Sequence, residues 1–150
     1  MVGKLLLAYT IEAVLESGVF DTVTLLQPTS PLRDAIDIKY AFKVFQDNDA
    51  SSVVSVCEVD HSPLLCNKLP KDNSLNGFIN VDKVGRRQDM KTFYRINGAI
   101  YIQKTEALMN RETLYGEKSC AYIMDKLHSI DIDDQIDFLI AETIMKENIN

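Results

Sequence analysis

The chain has 150 residues, 46% hydrophobic and 25% charged, and its 16 basic and 22 acidic side chains leave a net charge of −6. Those values fit one domain, residues 1–150, with a core of its own, and they exclude a broad nucleic-acid surface, which needs clustered positive charge. Three cysteines (Cys57, Cys66, Cys120) without paired spacing, two histidines (His61, His128) and no Cys-x-x-Cys argue against a disulfide framework or a zinc site and for a reducing cytoplasm.

Lys4 followed by Leu5-Leu6-Leu7 imitates a signal peptide only briefly, because Glu12 and Glu16 interrupt the apolar stretch. Ile11, Val14 and Leu15 continue it at helical spacing, which predicts an amphipathic helix over residues 5–17 with Gly18 as its C′ residue. No run reaches membrane-spanning length, so no membrane partner is expected. Val23-Thr24-Leu25-Leu26 predicts a buried strand from Thr22 to Gln27.

The next seven residues, Gln27-Pro28-Thr29-Ser30-Pro31-Leu32-Arg33, are the most informative in the chain. Open α/β sheets place ligands at the carboxyl ends of strands, and two prolines fix the backbone there. Gln27, Thr29, Ser30 and Arg33 are therefore candidate binding residues. A plain alternative stands beside this one: Ser30-Pro31 also suits an N-cap with Pro at the first helical position.

Ile38, Ala41, Phe42 and Phe45 predict a second helix, and Asp34 with Asp37 resembles its N-terminal cap. Ser52–Val59 reads as a strand. Residues 60–90 are polar and punctuated by Pro63, Pro70 and Gly77, with a short extended piece expected at Phe78–Val81; so long an excursion suits a lid or an oligomer contact. Thr92–Gln103 alternates as a strand, and Lys104–Asn110 as a short helix. Ala121–Met124 and Leu127–Ile132 read as strands, and Ile136, Leu139, Ile140 and Ile144 as the apolar face of a last helix. Alternating strands and helices indicate an α/β sheet with parallel portions.

Two further segments carry chemistry. In Tyr94-Arg95-Ile96-Asn97-Gly98-Ala99, an extended backbone points Arg95 and Asn97 to one face. Gly98 permits close approach of a ligand to the backbone, and Arg with Asn suits a carboxylate and its polar neighbours. The alternative is a surface strand with a bulge at Gly98. In Asp131-Ile132-Asp133-Asp134, Asp131 and Asp133 share one face of an extended chain. Two close carboxylates repel unless a cation lies between them, and oxygen-only ligation with few protein ligands suits Mg²⁺. Here the alternative is that Asp133 or Asp134 caps the last helix. His61 and His128 read as structural, and Arg86-Arg87 as solvated charge or an anion clamp.

Taken together, Leu25–Arg33, Arg86-Arg87-Gln88-Asp89, Arg95–Tyr101 and Asp131-Ile132-Asp133 resemble, in order, the motifs of the CMP-N-acetylneuraminate synthetases, the acylneuraminate cytidylyltransferases. Gly3–Ala13 is similar to the first long helix of that family. The resemblance implies a Rossmann-like nucleotidyltransferase fold with a small dimerisation excursion at residues 60–90. It implies transfer of CMP from CTP to the anomeric hydroxyl of a nonulosonic acid, releasing pyrophosphate. Gln27, Thr29 and Ser30 would hold the sugar acid; Arg95, Asn97 and Gly98 would lie at the nucleotide–sugar site; Arg86 or Arg87 would reach an active site; and Asp131 and Asp133 would hold Mg²⁺. The expected assembly is a homodimer or homotetramer. The family also has a glycine- and lysine-containing phosphate loop before the first helix, and a further strand where Asp21 meets Thr22. This sequence shows neither, so the other expectation is a non-catalytic remnant that binds a sugar acid or oligomerises.

Overall fold

The computed structural model describes residues 16–18, 20–79 and 91–147. Four strands form one mixed sheet: β1 (Thr22–Leu25), β2 (Ser52–Glu58), β3 (Tyr94–Lys104) and β4 (Ser119–Ile123), in the spatial order β1-β3-β2-β4. β3 is antiparallel to both neighbours, whereas β2 and β4 are parallel. The expected parallel portion is thus the β2–β4 pair. Because β3 alone runs in reverse, β1, β2 and β4 end at one edge of the sheet, and β3 begins there.

Helix α1 (Ala35–Asp47) packs on this sheet. Its predicted face is the observed one: Ala41 and Phe45 are buried, with Ile38 and Phe42 partly buried against Ala50, Val53, Ala99, Ile100, Ile102 and Met124. Burying one such aromatic side chain contributes about 1.5–3 kcal/mol. Asp34 caps the helix through a reciprocal box with Asp37, so the N-cap is Asp34 and Ser30-Pro31 is left to the preceding corner. A short helix α2 (Thr105–Met109) follows β3 directly, and the last helix is α3 (Gln135–Glu147). Ala141 is its buried residue, while Ile136, on the expected apolar face, is 66% exposed.

Two expected elements differ. Leu127–Ile132 is not a strand: Leu127–Ser129 is a 3₁₀ turn. Asp125 Oδ1 accepts from the Leu127 N–H at 2.7 Å, and this local bond turns the chain where a ladder would keep it straight. Phe78 and Ile79 lie in a bend, and within the excursion Pro63–Leu65 form a 3₁₀ turn opened by Ser62. The first predicted helix lies outside the described residues up to Leu15; Gly18, with φ +66°, has the left-handed backbone expected of its C′ position. No helix among the described residues is long and apolar enough to cross a membrane.

Candidate active site

The prolined corner leaves β1 at the sheet edge where β2 and β4 also end. Arg33 fastens it: one guanidinium nitrogen, Nη1, donates to the carbonyls of Gln27 (3.1 Å) and Ala99 (2.7 Å), tying the corner to β3. The guanidinium is therefore turned inward, onto backbone. Thr29 is exposed, but its carbonyl accepts the Ile132 N–H at 2.8 Å, which lashes the corner to the acidic segment. Ser30 is 1% exposed, and its hydroxyl has no hydrogen-bond partner among the described residues.

β3 meets the corner at a bulge. Pairing with β2 passes from Val54↔Tyr101 to Val56↔Ile96, so the surplus backbone falls on Asn97-Gly98-Ala99. Gly98 has φ +77°, and a Cβ placed there would lie 2.5 Å from Gln27 Oε1 and 3.3 Å from Asp131 Oδ2. Only glycine fits this point, where the three segments singled out in the sequence come together. The space above Gly98 holds the Gln27 side chain. Asn97 is buried, and Arg95 is exposed with its Nη2 3.4 Å from the Ser129 carbonyl.

The 3₁₀ turn feeds Asp131 into this junction. Asp131 Oδ1 is buried and without a partner among the described residues. Burial, then Tyr115, then Asp131 raise the Tyr101 phenol above its ordinary range. Asp133 is exposed, and its N–H donates to Asp137 Oδ2 at 3.0 Å. Capping of α3 falls to Asp134, whose Oδ1 accepts from Ile136 (2.7 Å) and Asp137 (3.1 Å). The carboxylates of Asp131 and Asp133 take no part in the cap. Arg86 and Arg87 lie outside the described residues.

A second polar cluster sits at the start of α1. Asp34, Asp37 and His128 offer oxygen and nitrogen atoms within 4.8 Å of one another, a group able to hold a metal ion. Those atoms are already engaged: Asp37 Oδ2 meets His128 Nδ1 at 2.8 Å, Asp37 Oδ1 accepts from Tyr122 Oη at 3.0 Å, and Asp34 Oδ1 caps α1. The Asp34 carboxyl is held below its ordinary range, first by the Asp37 N–H; partial burial opposes the shift, and the Ile36 N–H adds to it. His128 is structural here, as its sequence context suggests. Asp37 carried a cap signal but none for its contacts with Tyr122 and His128.

No family model matches the chain. It is 36% identical over 115 residues to the N-acylneuraminate cytidylyltransferase of Streptococcus agalactiae serotype V, covering 77% of this chain and 28% of that protein. It is 36% identical over 129 residues to the N-acylneuraminate cytidylyltransferase of Escherichia coli O18:K1:H7, covering 85% and 30%. It is 31% identical over 136 residues to the CMP-N,N'-diacetyllegionaminic acid synthase of Legionella pneumophila, covering 86% and 56%. The chain therefore spans about 30% of the length of the first two and just over half of the third.

Proposed function

We propose that this homologue of the N-acylneuraminate cytidylyltransferases carries the sugar-acid- and cation-binding part of an enzyme moving CMP from CTP to the anomeric hydroxyl of N-acetylneuraminate or a related nonulosonic acid, with release of pyrophosphate. The mixed α/β sheet suits a Rossmann-like nucleotidyltransferase fold. One observation carries the reading: Gln27, Gly98 and Asp131 meet at the edge of the sheet, with two buried polar atoms, Ser30 Oγ and Asp131 Oδ1, left without partners among the described residues. Buried polar atoms cost free energy unless something satisfies them, and a bound ligand is one source of such partners.

The donor set fits Mg²⁺, which takes one or two carboxylates and fills its remaining positions with water and phosphate oxygens. Asp131, through its unpartnered Oδ1, and the exposed Asp133 would hold it. When bound, the ion supplies Lewis-acid polarisation of the α-phosphate and lowers the pKa of a nearby hydroxyl. The chain's own residues orient the reactants, which is most of what a phosphoryl-type transfer asks of a protein. Gln27, Thr29 and Ser30 hold hydroxyl and acylamino groups of the sugar. Arg95, tied by two long bonds of 3.4 and 3.5 Å among the described residues, is a cation able to turn toward the sugar carboxylate or a phosphate. Arg86 or Arg87 adds a further cation from the 60–90 excursion, which we assign to a homodimer or homotetramer contact. The three cysteines are unpaired, in keeping with a reducing cytoplasm.

Full-length protein supplied with CTP, Mg²⁺ and N-acetylneuraminate should release pyrophosphate, and Asp131→Asn should abolish that release. Protein of verified length that releases none with any nonulosonic acid refutes the assignment.

A further inference from the structure

We infer that Asn97 and Ser55 form a positioning pair that sets the β3 bulge and so aligns Gln27 with Asp131, rather than groups that touch a ligand. The inference rests on the proposed reaction and assigns Asn97 a role different from the one its motif implies.

The argument begins with hydrogen-bond capacity. A carboxamide has two acceptor sites and two donors. Asn97 Oδ1 accepts from Ser55 Oγ (2.6 Å) and from the Ala99 N–H (3.2 Å). Asn97 Nδ2 donates to Ser129 Oγ at 2.8 Å and lies 3.3 Å from Met124 Sδ. A backbone N–H only donates, so the atom facing Ala99 must be the oxygen, and the amide orientation is fixed. With 1% of Asn97 exposed, no lone pair or proton is left for a substrate.

Ser55 completes the device. It is fully buried on β2, opposite the surplus residues, where the strand ladder is broken. Its hydroxyl accepts the Ile100 N–H at 2.8 Å and donates to Asn97 Oδ1, the shorter of its two acceptor contacts. One side-chain oxygen thus replaces the missing rung and grips the amide that shapes the bulge. On the other side Asn97 holds Ser129, two residues before Asp131, and Ser129 Oγ bonds onward to the Asp125 carbonyl at 2.5 Å. Gly98 sits between the two grips, and Arg33 reaches the next carbonyl, that of Ala99. Moving the amide shifts both Gly98, against which Gln27 rests, and the turn that delivers Asp131.

The test uses side chains that cannot meet a ligand. Ser55→Ala and Ser129→Ala each remove one grip from a buried site, in full-length protein. Both are expected to lower kcat for pyrophosphate release by about 10–100-fold, as loss of supporting partners around a site does, with KM for both substrates nearly unchanged. Combined with Asn97→Ala they should add little further loss, since members of one network are not additive. An Asn97→Ala variant with raised KM, beside Ser55→Ala and Ser129→Ala variants of wild-type kcat and KM, overturns the inference. A parallel measurement is independent of turnover: in ¹H–¹⁵N spectra both serine variants should shift the Gly98 amide and the Gln27 carboxamide. If the wild-type protein shows no turnover the proposed function fails, and the spectra alone decide the pairing; unmoved resonances refute it.

Discussion

Replacing Gly98 with alanine imposes two separable costs. The first is backbone: φ +77° is the left-handed region, where a side chain costs about 1–2 kcal/mol. The second is steric: the new methyl would stand 2.5 Å from Gln27 Oε1 and 3.3 Å from Asp131 Oδ2. Gln27 Oε1 ends a flexible side chain, so it turns aside, at about 0.5–1.5 kcal/mol for a displaced rotamer. We expect Gly98→Ala to lose about 2 kcal/mol and, for a domain of this length, about 4–8 °C in Tm. Gly77→Ala supplies the control. Its φ is +70°, with nothing within 4 Å of an added Cβ, so it carries the backbone cost alone. Urea unfolding compares the stabilities, and the ¹⁵N spectrum of the Gln27 carboxamide reads the site. Gly98→Ala should move that resonance and suppress pyrophosphate release, whereas Gly77→Ala should do neither. Equal stability losses with an unmoved Gln27 signal would show that the three segments do not meet as described.

Tyr122→Phe leaves buried Asp37 Oδ1 without its donor and should cost about 1–3 kcal/mol in chemical denaturation. Burial first, and then donation to Asp37, raise the Tyr122 phenol far above the ordinary 10.0. The folded state therefore holds this proton longer than the unfolded chain. Stability should fall as pH rises beyond about 10, with a shallower slope in Tyr122→Phe; an identical alkaline slope would remove Tyr122 from the account. Asp34→Ala should cost about 1 kcal/mol at neutral pH through loss of the α1 cap. Since the Asp34 pKa is lowered on folding, its contribution is full above the unfolded value of 3.8 and fades as pH drops through the folded one, so acid titration of both proteins should converge. Arg33→Met keeps much of the stem but removes the nitrogen that donates to both the Gln27 and Ala99 carbonyls; a loss of about 1–3 kcal/mol is expected, and an unchanged unfolding midpoint would contradict the fastening role.

Local signals were legible. The Asp34–Asp37 cap, the apolar face of α1 and the span of β3 each follow from residues within a few positions of one another. The corner and the Asp131 segment stand out in the sequence by two prolines beside Gln27 and Arg33 and by two aspartates two residues apart. What the sequence concealed is non-local. Ser55 grips Asn97 from 42 residues away, and Tyr122 and His128 reach Asp37 from 85 and 91 residues away. No periodicity encodes such pairs. Arg33 reads as a ligand group because an arginine beside a polar corner usually faces solvent; here the Gln27 and Ala99 carbonyls draw its Nη1 inward. Leu127–Ile132 alternates well enough to suggest a strand, yet Asp125, two residues upstream of Leu127, was the available sign of a turn.

The reversed direction of β3 has a consequence for how the molecule is made. β3 lies between two strands that precede it in the chain, so β1 and β2 cannot join each other as a growing hairpin. They wait for a segment some seventy residues beyond β1, and closing so large a loop is slow. During synthesis Gln27 emerges long before either Gly98 or Asp131. Ligand can therefore aid only the last stage of maturation, and a nascent chain halted before Tyr94 leaves the edges of β1 and β2 that β3 covers open to chaperones.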